Sequence, residues 1–277
     1  MDYLIKIFKE FKYELLLIYF YMLVAQLLFL TEPYVIGKMI DGLIVNDYYW
    51  LYLFIGIAVF ENFFIYRRMI YDTKVYTTIY NQITFRYLKK AKDEDASKRI
   101  ARVSMSNEII TFLEDRVYYY ISSILVLIGS LVYIFSQHPF SGFVVVSCVF
   151  PIVIIVYFFY NKIEQNTVMI NSHFENRAAT LTENNESKVD TFFKRRRKLL
   201  ILGSTLQGKN WTALNSTKTI FLIVALIFFT QGNQSISQGQ TVTMFTYINQ
   251  FLTSLLSIPV GVNIFVEMKD VINRIKE

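Results

Sequence analysis

Cysteine and histidine are scarce in this 277-residue sequence, which contains one Cys and two His. The single thiol, Cys148, has no partner for an intrachain disulfide and cannot build a thiolate metal cluster. His138 and His173 fall in different connections of the chain, so neither a metal site nor a catalytic triad forms around them. We therefore expect no metal, no cofactor bound by this chain and no catalytic site, and predict that it is not an enzyme.

Charged residues are also few, because they make up 18% of the sequence while hydrophobic residues make up 54%. Soluble domains normally have about 25% charged residues. The net charge of +6 would suggest nucleic acid, but the basic residues are sorted among connections as in membrane proteins. We therefore expect the lipid bilayer, and no nucleic acid, as a partner.

Apolar segments of helical length recur six times and predict an all-α, polytopic membrane protein with a single domain over residues 1–277. Because a helix rises 1.5 Å per residue, about 20 apolar residues cross the hydrocarbon core. The predicted spans are residues 13–43, 48–67, 117–136, 143–160, 218–231 and 241–266, of which 218–231 has the weakest hydropathy. Short turns around Asn46 and at 137–142 and 232–239 alternate with two long polar connections.

Basic residues lie on one side of this pattern. The three short turns contain no Lys or Arg, whereas the termini and the long connections contain nearly all 28. The positive-inside rule predicts a multi-pass protein of the cell membrane with both termini cytoplasmic. Each long connection, if helical, is a cytoplasmic hairpin of two rods that projects on the order of 35 Å beyond the membrane.

Polar residues form a stripe on the last predicted span, where they recur at spacings of three and four residues and so share one helical face. Hydroxyl residues are common at close contacts between membrane helices, so helix packing and a substrate path are equal alternatives. The candidates for the substrate path, with Gln26 added from the first span, are Thr243, Thr246, Asn249, Gln250, Thr253 and Ser257.

Acidic residues inside the predicted spans are the second set of candidates. Glu61 lies well inside the second span, where a lone carboxylate costs about 2.5 to 3.5 kcal/mol and should face a cavity or a partner. It is either a cation or proton site or a buried packing residue alongside Asn62. Glu32 lies nearer the outer surface, and the i, i+3 spacing of Lys38 and Asp41 predicts a structural salt bridge.

A near-match to a phosphate-binding loop occurs at Gly203–Asn210, which almost fits G-x-x-x-x-G-K-[ST]. That loop needs a hydroxyl at its last position to hold Mg²⁺, and Asn210 has none. It also needs an α/β domain, whereas a predicted membrane span follows here. We therefore do not expect nucleotide binding at this segment.

Several short motifs match one family of membrane proteins. Residues Leu30–Asp41 read LTEPYVIGKMID and resemble the Pro, Ile-Gly-Lys and Ile-Asp signature at the outer end of the first helix in ABC exporter membrane domains. Ala101–Ser104, Gly239, Pro259 and Asn273–Ile275 are similar to other parts of the pattern. The chain thus resembles an ABC exporter-type six-helix transmembrane domain, here without a nucleotide-binding domain.

The resemblance implies a dimer of six-helix halves, as a homodimer or paired half-transporters, around a cavity that opens inward or outward. It also implies short coupling helices at the hairpin tips, where a separate nucleotide-binding ATPase would dock and supply ATP and Mg²⁺. The first tip, KDEDASK at 92–98, is shorter than the family pattern. The coupling candidates at the two tips are Asp93, Glu94, Asp95, Glu186, Lys188, Val189, Asp190 and Phe192.

Three functions stay open on this basis. The first is the membrane subunit of an ABC-type transporter that moves an unidentified substrate with ATP hydrolysis by a separate nucleotide-binding protein. The second is a proton-coupled transporter of the same fold without an ATPase, similar to some bacterial peptide-uptake proteins, with Glu61 and Glu32 as proton carriers. The third is a membrane scaffold or regulator that transports nothing.

Overall fold

The computed structural model describes residues 9–90, 103, 107, 110–175, 186–231 and 236–276. All regular structure in these ranges is helical, which confirms the all-α prediction. A π-helical turn, Phe112–Val117, leads into the third long helix. The α-helices are α1 (Lys12–Ile44), α2 (Tyr49–Lys90), α3 (Tyr118–Gln137), α4 (Pro139–Ser147), α5 (Val149–Glu175), α6 (Glu186–Gln231) and α7 (Gln238–Lys276).

Five helical segments are long and apolar enough to cross a membrane: α1, α2, the π-helical turn with α3, α4 with α5, and α6. Each overlaps one of the first five predicted spans. Over the part of the chain that is described, α7 is not among these five. The sixth span therefore stays a prediction. The segment 218–231, which has the weakest hydropathy of the predicted spans, belongs to α6, which is long and apolar enough to cross a membrane.

The first two short connections are tight turns. Asn46 has a φ of 60° in the turn between α1 and α2, and Asp47 Oδ1 accepts a hydrogen bond from the Tyr49 amide at 3.0 Å. The predicted turn at 137–142 is wrong in length, because α4 already begins at Pro139. Proline suits the first turn of a helix, where no N–H is needed, and His138 Nδ1 accepts from the Ser141 amide at 3.2 Å.

The fourth predicted span is broken rather than continuous. α4 ends at Ser147 and α5 begins at Val149, with a tight turn in which the Cys148 amide donates to Val145 O at 3.2 Å. Pro151 is the cause, since it has no N–H for the carbonyl of Ser147 and its ring crowds that carbonyl. The apolar pattern runs through the break, which is why hydropathy does not reveal it.

The chain divides into two compact units, Met1–Gly142 with Leu226–Glu277, and Phe143–Ala225. In the first unit, α1 packs against α2, α3 and α7, and α7 also packs against α3. In the second unit, the buried Asn166 of α5 lies against Gly203 of α6. The His173 ring stacks on Phe192 at 4.1 Å, and its Nε2 donates to Phe192 O at 3.0 Å.

A hydrophobic core within the first unit joins the start of α1 to the part of α2 beyond its predicted span. Leu15 and Ile18 therefore face protein, so the hydropathy at the start of α1 reflects this core as well as a bilayer. The helix α2 continues to Lys90, far past the predicted span end at Arg67. The buried residues of this core are Leu15, Ile18, Val75, Tyr76, Ile79, Ile83, Ile110, Phe112 and Leu113.

Candidate functional site

A close helix contact in the first unit is the crossing of α1 and α7, which is formed by Gly37, Asp41, Ser237, Gly239 and Thr243. It is here called the outer crossing, after the end of the predicted first span at which it lies. A Cβ atom added at Gly37 would lie 1.9 Å from Thr243 Oγ1 and 2.5 Å from Gly239 O. One added at Gly239 would lie 1.9 Å from Gly37 O. Only glycine fits at both positions, because each faces backbone of the opposite helix.

Hydrogen bonds fix the register of the outer crossing. Asp41 Oδ2 accepts from Ser237 Oγ at 2.5 Å, and Asp41 Oδ1 accepts from the Gly239 amide at 2.8 Å. The predicted Lys38–Asp41 salt bridge is therefore wrong: the carboxylate holds the start of α7, and the Lys38 ammonium lies 5.9 Å from the Tyr34 ring. Sequence spacing favoured the local pair because it contains no information on the distant Ser237.

Two further bonds continue this contact along α7. Thr243 Oγ1 donates to Pro33 O at 3.0 Å, and Tyr247 Oη donates to Leu30 O at 2.6 Å. The Tyr247 ring also stacks on Tyr133 of α3 at 4.0 Å. The Pro, Gly and Asp positions of the signature segment 30–41 thus share one physical role, the attachment of α1 to α7.

The polar stripe of α7 lies along the edge of the face that packs on α1 and α3. Thr243 and Ser257 are buried, whereas Thr253 is exposed and the rest of the stripe is half-buried. Thr246, Thr253 and Ser257 donate to carbonyl groups of their own helix. The structure therefore gives a helix–helix role to Thr243, buries Ser257, and leaves the other stripe residues half-buried or exposed at the edge of this face.

The two predicted amide candidates differ in their surroundings. Gln26 is buried, and its Oε1 accepts a hydrogen bond from Ser122 Oγ of α3. Gln250 Oε1 is buried with no hydrogen-bond partner among the described residues. A buried amide oxygen that accepts no hydrogen bond costs roughly 1 to 3 kcal/mol of stability. Gln250 is therefore a residue of the stripe that could accept a hydrogen bond from another molecule.

Glu32 of α1 and Glu61 of α2 come together in the structure, although they are 29 positions apart in sequence. The carboxyl groups of Glu61 and Glu32 lie close enough to interact. Two carboxyl groups side by side repel each other when both are ionised. Asn62, the predicted packing neighbour, instead donates to Ala58 O of its own helix at 2.8 Å.

A charged cluster at the other end of the first unit, here called the inner network, was not predicted from the sequence. Arg68 Nη1 lies 2.7 Å from Asp72 Oδ2, and the Arg68 guanidinium lies 3.8 Å from the centroid of the Tyr118 ring. Next to it, Tyr76 Oη donates to Leu113 O in the π-helical turn at 3.3 Å. The i, i+4 spacing of Arg68 and Asp72 was the available signal, and it gave no hint of burial.

The coupling candidates fall in two groups. Asp93, Glu94 and Asp95 lie outside the described residues. At the second tip, Phe192 is buried against His173, whereas the rest of the set is exposed or half-buried: Glu186, Lys188, Val189 and Asp190. The loop-like segment Gly203–Asn210 is continuous helix within α6 and offers no loop to hold phosphate.

Comparison with known proteins places these features in one family. No curated protein matches the sequence. A family model described as "ABC transporter transmembrane region" matches residues 4–239, from the start of the chain to Gly239 of the outer crossing, and no nucleotide-binding domain family is detected. Since this match covers most of the 277 residues, the chain is a multi-pass membrane protein that belongs to the ABC transporter transmembrane region family.

Proposed function

We propose that the protein is the membrane subunit of an ABC-type transporter of the cell membrane, with ATP hydrolysis supplied by a separate nucleotide-binding protein. The observation that carries this proposal is the family match over residues 4–239. The outer crossing supports it, because the residues of the family-like signature make that contact. Both termini and the hairpin tips are then cytoplasmic, as the distribution of basic residues predicts.

Transport in this proposal occurs between two six-helix halves, each a copy of this chain or a paired half-transporter. The open edge of the α7 stripe faces the path between the halves, with Gln250 and Asn249 as the groups that contact substrate. ATP binding and hydrolysis in the partner bias the inward-open and outward-open states. The outer crossing keeps α1 and α7 together while the halves move.

Coupling to the ATPase takes place at the second hairpin tip. Glu186, Lys188 and Asp190 are exposed there, and Asp190 pairs with Lys194 one turn further along α6 at 2.6 Å. Phe192 has a different role, because its stacking on His173 joins α6 to α5. Through this contact, a displacement of the docked ATPase at α6 is passed to α5.

Affinity purification tests this proposal. The tagged protein is extracted from its native membrane in mild detergent, co-purifying proteins are identified by mass spectrometry, and ATP hydrolysis is assayed in the eluate. We expect a nucleotide-binding protein and vanadate-sensitive hydrolysis. Both should be lost in Glu186→Lys/Asp190→Lys, and retained in the control Glu164→Lys, which changes an exposed residue of α5 in the same hairpin. A clean eluate without ATPase would contradict the proposal.

The Glu32–Glu61 pair favours a second candidate function, transport coupled to protons without an ATPase. Two neighbouring carboxyl groups inside the membrane-spanning segments are suitable proton carriers, since a change in access to either side of the membrane would alter their protonation. The test is proton entry into pyranine-loaded proteoliposomes with a mixed peptide fraction outside. Glu61→Gln and Glu32→Gln should each abolish entry, and Glu164→Gln should not. Equal rates in all four proteins would remove this candidate.

A further inference from the structure

A small cleft lies between α1 and α2 near the inner end of the predicted second span. It has a volume of about 70 Å³ and is lined by Tyr21 of α1 and by Arg67, Ile70, Tyr71 and Lys74 of α2. Among the described residues, no acidic side chain lines it. The cleft is therefore a positively charged opening between two membrane helices, at the depth where α2 leaves the predicted span.

The two cations of the cleft differ from their neighbours on the same helix. Arg68 pairs with Asp72, and Arg86 pairs with Glu10. Arg67 and Lys74 are exposed, and the ion pairs within the described ranges include neither of them. Their spacing of seven residues is two helical turns, so both point to the same side of α2. Two positive charges thus converge on one opening without a counter-charge from the described part of the chain.

Aromatic rings give the cleft fixed walls. Tyr21 contacts Phe64 at 6.1 Å and Tyr71 at 6.4 Å between ring centroids. Tyr71 also packs against the hydrophobic core that includes Leu15 and Ile18. Because tyrosine has few rotatable bonds, its hydroxyl is a donor held in place at low entropic cost. The cleft therefore combines aromatic walls held in place by packing with two exposed cations at its rim.

The surface beside the cleft is apolar and exposed. Phe63 and Tyr66 lie within the predicted span, next to Arg67 along α2, and are 54% and 61% exposed. Ile70, which lines the cleft between the two cations, is 40% exposed. A soluble anion gains nothing from contact with such a surface, whereas an acyl chain would cover it. The charged cleft and the apolar surface therefore match the two parts of a phospholipid. The head group would lie at Arg67 and Lys74, and the acyl chains would cover the apolar surface of α2 toward the middle of the membrane.

We propose that this cleft binds the phosphate head group of an anionic phospholipid of the cytoplasmic leaflet. Arg67 forms a forked contact with phosphate oxygens, Lys74 adds a second charge, and the tyrosine hydroxyls donate the remaining hydrogen bonds. The leaflet follows from the orientation in the proposed function, and the lipid chemistry does not depend on it. A bound lipid would join the inner parts of α1 and α2 at a point where protein contacts leave an opening.

Lipid titration of the purified full-length chain tests this site. The probe is dioleoylphosphatidylglycerol added to protein in dodecyl maltoside, and bound lipid is counted by native mass spectrometry. Removal of both cations in Arg67→Gln/Lys74→Gln should weaken binding about thirty-fold, since each basic residue near an anionic surface contributes about a factor of five. The swap Arg67→Lys/Lys74→Arg keeps the charge and should retain most of the affinity.

The matched control is Arg195→Gln/Arg197→Gln, which removes two exposed cations of α6 outside the cleft, and it should change affinity less than twofold. Equal losses in both double variants would overturn the proposal, as would equal binding of dioleoylphosphatidylcholine. Displacement of the lipid by inorganic phosphate at millimolar concentration would assign the site to a soluble anion instead. None of these results depends on an ATPase, so failure here is distinct from failure of the proposed function.

Discussion

The outer crossing and the inner network hold helices together by opposite means. At the outer crossing, two glycines bring backbone against backbone and both oxygens of Asp41 accept hydrogen bonds. In the inner network, long charged side chains fill the contact, and Arg68 Nε and Asp72 Oδ1 are buried without a hydrogen-bond partner within the described ranges. Shape determines the first contact and charge the second.

This difference teaches where the molecule can change conformation. A contact of backbone atoms at van der Waals distance has one arrangement, because any displacement opens a gap or a clash. A contact made by a guanidinium, a carboxylate and an aromatic ring has several possible arrangements. Its polar atoms that lack a hydrogen-bond partner can gain one when the contact rearranges. We therefore infer that the outer crossing moves as one body and that the inner network is the part of this unit that adapts.

The largest expected effect is at Asp72. Asp72→Ala leaves the Arg68 guanidinium, whose side chain is only 14% exposed, without its carboxylate. An uncompensated charge in such a place costs about 3 to 5 kcal/mol of unfolding free energy. The measurement is unfolding by sodium dodecyl sulfate in mixed micelles, followed by circular dichroism.

The double variant Arg68→Met/Asp72→Leu sharpens the comparison. Apolar side chains of similar size remove both charges together, so stability should return to within about 1 kcal/mol of the wild type or exceed it. The same protein should lose transport if the charges are needed for rearrangement. A double variant as unstable as Asp72→Ala would show that the pair is held by shape, like the outer crossing.

The next effect is at Gly37. In Gly37→Ala, the new methyl group meets Thr243 Oγ1 and Gly239 O, so α1 and α7 must separate at a cost of about 1 to 3 kcal/mol. Gly56 of α2 is the control, because a Cβ atom there meets no described atom within 4 Å. Gly56→Ala should be neutral or stabilise the helix by about 0.5 to 1 kcal/mol. Equal behaviour of the two variants in the same unfolding assay would contradict the close crossing.

The sequence predicts the helices well because apolar runs of bilayer length are rare outside membrane-spanning helices. The first turn, at Asn46, lies where the sequence predicts it. The break at Cys148 was missed because Pro151 lies in an uninterrupted apolar run. The sixth span, in α7, stays a prediction. The polar residues that make α7 a candidate site also lower the hydropathy on which this prediction depends.

Site geometry was less predictable, because it depends on pairs far apart in the chain. Glu32 and Glu61 were recognised one at a time as carboxyls in costly places, and nothing in their spacing indicated that they meet. Asp41 was assigned to its neighbour Lys38, although its partners lie nearly 200 positions away at Ser237 and Gly239. The family-like signature marked these residues as a group without giving the physical reason.

The smallest expected effect separates packing from path lining within the α7 stripe. Thr243→Val removes the hydroxyl that donates to Pro33 O across the outer crossing, and should cost about 1 kcal/mol of unfolding free energy with little change in shape. Thr246→Val is the matched control, because its hydroxyl donates to Val242 O in its own helix, and its stability should change by less than half as much. If Thr246→Val instead alters transport while Thr243→Val alters only stability, the stripe has both roles predicted for it, with packing at the buried position and the substrate path at the open edge. If Thr243→Val is as stable as wild type, the glycine contacts alone hold α1 on α7, and the outer crossing is a matter of shape without any contribution from this bond.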